Sequence, residues 1–466
     1  MLKKVIMVLM MLVAGVLISG IDVPAVRADA ATEAILDILH SRGDISDETY
    51  KELMEKEKKE DQGFDAYFDK RLHVDSKDGR FKLKVGGRLM MDMVAIDADD
   101  GFEAAEDATG KTFEGTGVEF RQARLHMAGT LYNRFAFKNE FDFAAGKVNF
   151  KENWIELRKL PYVGNMRLGH TKEPFSLERL NSRLYMPLME RALPNGIVPG
   201  RNTGLRFHNS LVAQRVSWSL GFFKETGGNG DDFTENGDYN ITGRLTFAPW
   251  YEDNGRQLLH LGMAYSHKFC NEDAEETSLR FKKLPEVHIP DLVPVDTGDL
   301  PADGADMFGP EAALVIGPFC IQGEYWQVNL DSRTHDDPSF NGYYVLCSYF
   351  LTGEHRNYKV SGNDGAEFGM VNIKNSFDPS SGKWGAWQIA ARYADIDLND
   401  NDIYGGKMDD ITVGINWYPN PNVRWSFNYV HINVKDSRHA VEDSDEDVWI
   451  SDADADIYQA RFHIYF

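Results

Sequence analysis

The sequence predicts an all-β fold: a sixteen-stranded antiparallel transmembrane β-barrel, preceded by a short N-terminal helical segment on the periplasmic side. Three observations predict it. Apolar and polar residues alternate with period two in segment after segment beyond residue 80. Aromatic residues stand at segment ends, at Trp154, Tyr162, Trp250, Tyr251, Trp417 and Tyr418, where the girdles of a membrane barrel lie. The chain ends on a strand pattern, residues 458–466, with Tyr458, Phe462, Ile464 and Phe466 on one face.

Taken in order, the first element is an address. Lys3 and Lys4 precede an apolar stretch from residue 5 to 18, and Ala28-Asp29-Ala30 offers a small-x-small cleavage site. This is the pattern of an exported chain's signal peptide, residues 1–30. Residues 31–62 follow as a helical segment. Ile35, Leu36, Ile38 and Leu39 make an apolar stripe, Gly43 a stop, and Ser46 a cap for a second stretch with Tyr50, Leu53 and Met54. The stripe is too narrow for a large core and suits pairing with copies of itself.

From residue 80 to 466 the period is two. In 81–93 the odd positions are Phe81, Leu83, Val85, Gly87, Leu89, Met91 and Met93. The even positions carry Lys82, Lys84, Arg88 and Asp92. The expected strands are 81–94, 118–131, 134–143, 148–158, 164–172, 203–211, 216–225, 238–248, 257–267, 309–316, 319–329, 341–352, 384–397, 408–418, 423–434 and 457–466. Sixteen is an even count, as single-chain bacterial barrels have. Connections alternate short and long with two exceptions. Residues 353–383 are long where a turn is due, and 144–147 are short where a loop is due.

The charge is −23 over 466 residues, which excludes a general nucleic-acid binder. Most of it sits in the long connections. Residues 95–117 carry −6, 269–308 carry −7 and 435–456 carry −7. The polar strand faces read differently. Lys82, Lys84, Arg88, Arg124, Arg134, Lys138, Arg158, Arg167, Arg206, Arg244, Arg392, Arg424 and Arg461 oppose only Asp92, Glu140, Asp142, Glu152, Glu156 and Glu324. A water-filled interior with that balance favours anions, and arginine's planar fork suits phosphate-like oxyanions. Paired wall arginines with no transport role are the blander alternative.

Other chemistry has little support. No Gly-x-Ser-x-Gly and no Walker-type loop occurs, so an enzyme is not expected. His126, His170, His260, His431 and His463 lack zinc spacing. Asp452, Asp454 and Asp456, near the acids of 442–447, read as a solvated external loop bridged to lipopolysaccharide. No cofactor or metal is expected. Cys270, Cys320 and Cys347 are too few for a disulfide scaffold.

Several segments together resemble the phosphate-selective porin O and P family. They are 169–176 (GHTKEPFS), 189–193 (MERAL), 199–204 (PGRNTG), 243–249 (GRLTFAP), 285–288 with 295–298, 348–354 (SYFLTGE) and 414–419 (GINWYP). The resemblance implies a homotrimer of outer-membrane barrels passing small anions, phosphate among them, amid outer-membrane lipid and lipopolysaccharide. It implies that the third external loop, 173–202, folds inward and narrows the pore. The anion-pathway residues are then expected among Arg88, Arg124, Lys138, Arg158, Arg167, Arg206 and Arg244. Lys172, Glu190, Arg191 and Arg201 are the expected constriction residues. The rival reading is a general or weakly cation-favouring diffusion porin, with the acidic loops setting the potential at the mouth.

Overall fold

The computed structural model describes residues 30–60, 63–212, 215–232, 238–270, 278–362, 365–440 and 447–466. The stretch expected to be a signal peptide, up to residue 29, and the acids of 442–446 lie outside the described residues. Two units are distinguished. In the first, helices α1 (Ala30–Ser41) and α2 (Asp47–Glu60) are held by local contacts. His40 stacks on Tyr50 at 4.5 Å between ring centroids, Tyr50 donates to Asp37 at 2.6 Å, and Ser46 caps α2 through the Thr49 N–H. These caps and ring contacts set the break at Gly43, as its sequence position suggests.

The second unit is the closed barrel of sixteen antiparallel strands. Its strands are β1 (Phe81–Ala98), β2 (Gly115–Leu131), β3 (Phe135–Asp142), β4 (Asn149–Leu160), β5 (Gly164–Lys172), β6 (Arg201–Leu211), β7 (Val216–Lys224) and β8 (Tyr239–Glu252). They continue as β9 (Gln257–Phe269), β10 (Leu300–Ile316), β11 (Phe319–Ser332), β12 (Ser339–Phe350), β13 (Ala386–Asp400), β14 (Ile403–Asn420), β15 (Val423–Ala440) and β16 (Asp447–Tyr465). The last strand closes on the first, with Arg461 directly opposite Asp92. Outward positions are apolar and exposed, among them Leu89, Met93, Ile155, Leu245, Leu261, Met263, Trp425, Phe427 and Ile464. A soluble protein would not leave so broad an apolar belt in water. On a barrel it is the surface that meets lipid.

Several strands run farther than expected, and the reason is physical. Above the apolar belt the alternation changes phase. Val94, Ile96, Val430, Ile432, Val434, Ile450, Ala453, Ala455 and Ile457 are buried inside, while Asp97, Asp452 and Asp454 are exposed outside. The interior there is packed with protein rather than water. Loop 3, residues 173–200, and loop 5, described over 278–299, supply Leu188, Leu193, Ile197, Leu292 and Val295 to one apolar cluster with the strand residues. Fully burying such a side chain stabilises the docked loop by about 1.5–3 kcal/mol each. The wall makes room for them. A Cβ added at Gly342 would lie 2.9 Å from Pro194, and one at Gly414 would lie 2.8 Å from Leu188.

Candidate functional site

Three segments fold into the barrel. Loop 3 begins with a four-residue helix, Leu177–Leu180, capped by Ser176. Glu324 on β11 accepts the Leu177 and Glu178 N–H groups at 2.9 and 2.7 Å and fixes that turn to the wall. Farther along, wall arginines hold the loop. Arg392 pairs with Glu178 at 2.8 Å, Arg424 donates to the Met186 carbonyl at 2.7 Å, and Arg461 donates to the Met189 carbonyl at 2.5 Å. Glu190 is the hub, bonded to Arg121 (2.9 Å), Arg183 (3.1 Å) and Arg461 (2.8 Å). Loop 5 docks through Glu286, which pairs with Arg392 and accepts from Thr412 at 2.6 Å. The third segment is the long connection between β12 and β13. It forms a hairpin, Tyr358–Gly362 with Gly365–Phe368.

These segments fill much of the interior. A polar cavity of about 180 Å³ is left along the wall of β1 to β5. Arg88, Arg124 and Lys138 line it from the wall, and Arg71 from the segment before the barrel. Lys172, at the end of β5, and Arg201, at the start of β6, flank loop 3, which adds Arg183 and Arg191. The hairpin supplies Lys359 and Glu367. With Glu140 and Glu152, the balance is nine Lys or Arg against three carboxylates. Part of the charge is internally compensated. Glu140 pairs with Arg88 (2.5 Å), Arg124 (2.9 Å) and Lys138 (2.8 Å), and Glu152 with Arg201 (2.8 Å). The cavity still keeps a surplus of guanidinium and ammonium groups over carboxylates, and polar surface faces it.

The sequence-derived residues separate into groups. Arg88, Arg124, Lys138, Lys172, Arg191 and Arg201 converge on this cavity. Arg158 and Arg167 line a second cavity of about 390 Å³ with Glu156 and His208. Arg167 is also stacked on Trp154, 3.9 Å from the ring centroid. Arg206 is fully buried and donates to Ser219 at 3.0 Å. Arg244 is buried against Glu311 and the Ala366 carbonyl of the hairpin. Glu190 anchors loop 3 from below the surface. Arg71, Arg183 and Lys359 were not singled out by sequence reasoning. For Lys359 the signal was the anomalous length of the connection that carries it.

The count of thirteen basic to six acidic interior groups needs correction. Glu311 and Asp410 also face inward and are buried. Loops 3 and 5 add Glu173, Glu178, Glu190 and Glu286. Glu311 follows Gly309 and Pro310, which blur the alternation. Asp410 follows another acid, so the pattern does not say which of the two points inward. The same loops add Arg179, Arg183, Arg191 and Lys283, and the cavity on the β1–β5 side is where basic groups outnumber acids nine to three. His170 is buried, with Thr203 at 3.3 Å, and shares the face of Thr203 across the β5–β6 ladder. Among the described residues no three His, Cys, Asp or Glu side chains converge to hold a metal.

Comparison with known proteins agrees with this architecture. Porin O of Pseudomonas aeruginosa is 26% identical over 414 residues, covering 82% of this chain and 89% of that protein. An uncharacterized protein of Caulobacter vibrioides is 29% identical over 364 residues, covering 76% and 69%. Among solved structures, the anion-selective porin from Comamonas acidovorans matches with a TM-score of 0.50 at 13% identity, over 83% of this chain and all of that one. That likeness is one of fold. The sequence profile of the family described as phosphate-selective porin O and P matches residues 65–466. A barrel of sixteen strands, filled from within by its own loops and matched by that profile over nearly its whole length, places this chain in the phosphate-selective porin O and P family.

Proposed function

We propose that this outer-membrane porin passes small solutes by passive diffusion and favours anions, phosphate-like oxyanions among them. The observation that carries the reading is the nine-to-three excess of basic groups around the cavity on the β1–β5 side. Solutes passing between low-dielectric walls feel such a surplus strongly. The description of the family whose profile matches, phosphate-selective porin O and P, supports phosphate as a solute. A homotrimer exported by cleavage near Ala30 belongs to the same reading. A concave apolar surface on the outer face, including Ala391, Ile415, Phe427 and Ala460, suits contact with another protomer. The exposed Asp452 and Asp454 would meet lipopolysaccharide through divalent cations. The acidic external segments favour the second reading, a general or weakly cation-favouring pore.

Reversal potentials across a potassium chloride gradient in planar bilayers, with phosphate then added, test the proposal. An anion-favouring potential and block of chloride current by phosphate are expected. Lys138→Gln with Arg201→Gln should lower the chloride-to-potassium permeability ratio by about two-fold or more. A neutral or cation-favouring wild-type potential would overturn the anion reading and leave the general pore.

One pH dependence follows. Lys283, on loop 5, is unusually placed for a lysine. Burial lowers its ammonium to about 8, although Glu190 and Glu286 oppose the shift. It is charged below that value and neutral above it, so the interior loses a positive charge between pH 7 and 9. Anion preference should fall over this interval in the wild type and stay flat in Lys283→Met. Reversal potentials at the two pH values check it.

A further inference from the structure

Asp410, on β14, is fully buried, and neither of its carboxylate oxygens meets a hydrogen-bond donor among the described residues. Thr412 stands two residues on, on the same face of the strand. Its hydroxyl donates to Glu286 of loop 5 at 2.6 Å. Glu286 is buried too, and its Oε1 also lacks a donor. The Asp410 and Glu286 carboxyl groups meet side by side. An ionised carboxylate only accepts hydrogen bonds, so two of them have nothing to exchange. With one proton between them, one becomes a donor and the other accepts.

The charges around the pair point the same way. Arg392 of β13 pairs with Glu286 and, at 2.8 Å, with Glu178 of loop 3. Lys283 of loop 5 adds a second cation, which also feels Glu190 and Arg183 of loop 3. From β16 comes neutral Gln459, donating to the Glu286 carbonyl at 2.7 Å. Glu178, Glu286 and Asp410 are thus three carboxylates facing two cations. A buried carboxylate without compensation is costly, and it neutralises by taking up a proton. Burial holds the Glu286 carboxyl above its ordinary range, although Arg392 and Thr412 oppose the shift.

We propose that loop 5 is fastened to the barrel wall by one proton shared between Glu286 and Asp410, and that loss of this proton to water releases the loop around Glu286. Two negative charges then stand against each other on the loop and the wall, and the loop is the part free to move. Farther along, Leu292 and Val295 stay in the apolar cluster and Ser437 donates to the Pro294 carbonyl at 2.6 Å. The release is therefore local to the first half of the described segment 278–299. Its sign is opposite to that of Glu190. A carboxyl held above its ordinary range stabilises docking fully below the unfolded value of about 4.3, and the contribution is lost as pH rises through the raised folded value. The inference concerns how loop 5 is held, so it stands whether or not anions are favoured.

Hydrogen exchange of the backbone over 281–291 decides it, measured on the full-length protein in detergent from about pH 5 to 9 and corrected for the intrinsic pH dependence of exchange. Wild-type protection is expected to fall with rising pH, by up to about ten-fold per pH unit, the limit for one released proton. Asp410→Asn supplies an amide donor to Glu286 without titrating, so its protection should be flat over the range. Glu286→Gln removes the other titrating partner, gives the same test if Asp410→Asn does not fold, and should also be flat. Lys283→Met removes the neighbouring lysine's own titration and should keep the wild-type fall. Protection in the wild type that does not change with pH would overturn the proposal. A fall that persists in Asp410→Asn or Glu286→Gln, or that vanishes in Lys283→Met, would overturn it as well, by assigning the proton to another group.

Discussion

Glu190→Ala is expected to release loop 3 and raise single-channel conductance several-fold. Glu190 is the carboxylate at which Arg121, Arg183 and Arg461 meet, at 2.9, 3.1 and 2.8 Å. Its removal leaves Arg183 with no carboxylate in the set and Arg461 with only Asp92. Deleting one partner of a buried ion pair costs about 3–5 kcal/mol, because the other charges stay desolvated. Loop 3 is the element free to move away from them. Glu190→Gln keeps the shape and some hydrogen bonds and should give an intermediate conductance. Unchanged conductance in both variants would show that the apolar contacts of loop 3 hold it without the hub. The pH dependence has a definite sign. Burial pushes the Glu190 carboxyl upward, but Arg121, Arg183 and Arg461 outweigh burial and hold it well below the usual carboxylate range. Its stabilisation is fully present above the unfolded carboxylate's value of about 4.3 and is lost only as pH falls through the lower folded value. Conductance of the wild type should therefore show no loop-3 opening down to about pH 4.3.

Glu311→Ala should have an effect of similar size at the other end of the lumen. Glu311 is fully enclosed and takes Arg244 at 2.5 Å and His260 at 2.9 Å. Those two residues in turn hold the hairpin, through the Ala366 carbonyl and the Tyr358 hydroxyl. Without the carboxylate, Arg244 becomes an uncompensated buried cation, at a cost of about 3–5 kcal/mol. Two outcomes are expected together. The folded barrel should unfold at lower temperature or denaturant in detergent, followed by the heat-dependent mobility shift on gels. The connection between β12 and β13 should become open to limited proteolysis. A destabilised barrel whose hairpin stays protected would mean that the apolar cluster around Tyr358 and Phe368 suffices to seat it.

The sequence made the membrane-spanning part of this protein legible because one rule governs it. Where lipid lies outside and polar groups lie inside, alternation at Phe81–Met93 or Leu259–Tyr265 reads directly as strand and face. The rule fails where the solvent changes. On β15, Val430, Ile432 and Val434 point into packed loops rather than water, so the same strand reverses phase and its outer third resembles a loop. Charge counting failed for a related reason. It treated the strand faces as the whole interior, but Glu178, Glu190 and Glu286 arrive from segments far away in sequence. Arg392, Arg424 and Arg461 are then committed to holding loops. Arg88, Arg124 and Lys138 keep their place on the cavity and share Glu140 as their carboxylate. The hairpin left only its excess length as a trace, since its packing partners are set by tertiary proximity.

The seam between the two ends of the barrel bears on the order of assembly. Arg461 and Asp92 stand opposite each other on β16 and β1, joined by two hydrogen bonds of 2.6 Å. Arg461 also provides one of the three cations that receive Glu190. The docking point of loop 3 is thus incomplete until the C-terminal strand has met the N-terminal one. An unclosed sheet would carry the loop without its latch and would leave Asp92 and Arg461 apart at its two edges. Closure should accordingly precede filling, and late folding should look like a vessel that seals first and packs afterward. The final segments of the chain then control when its middle can settle.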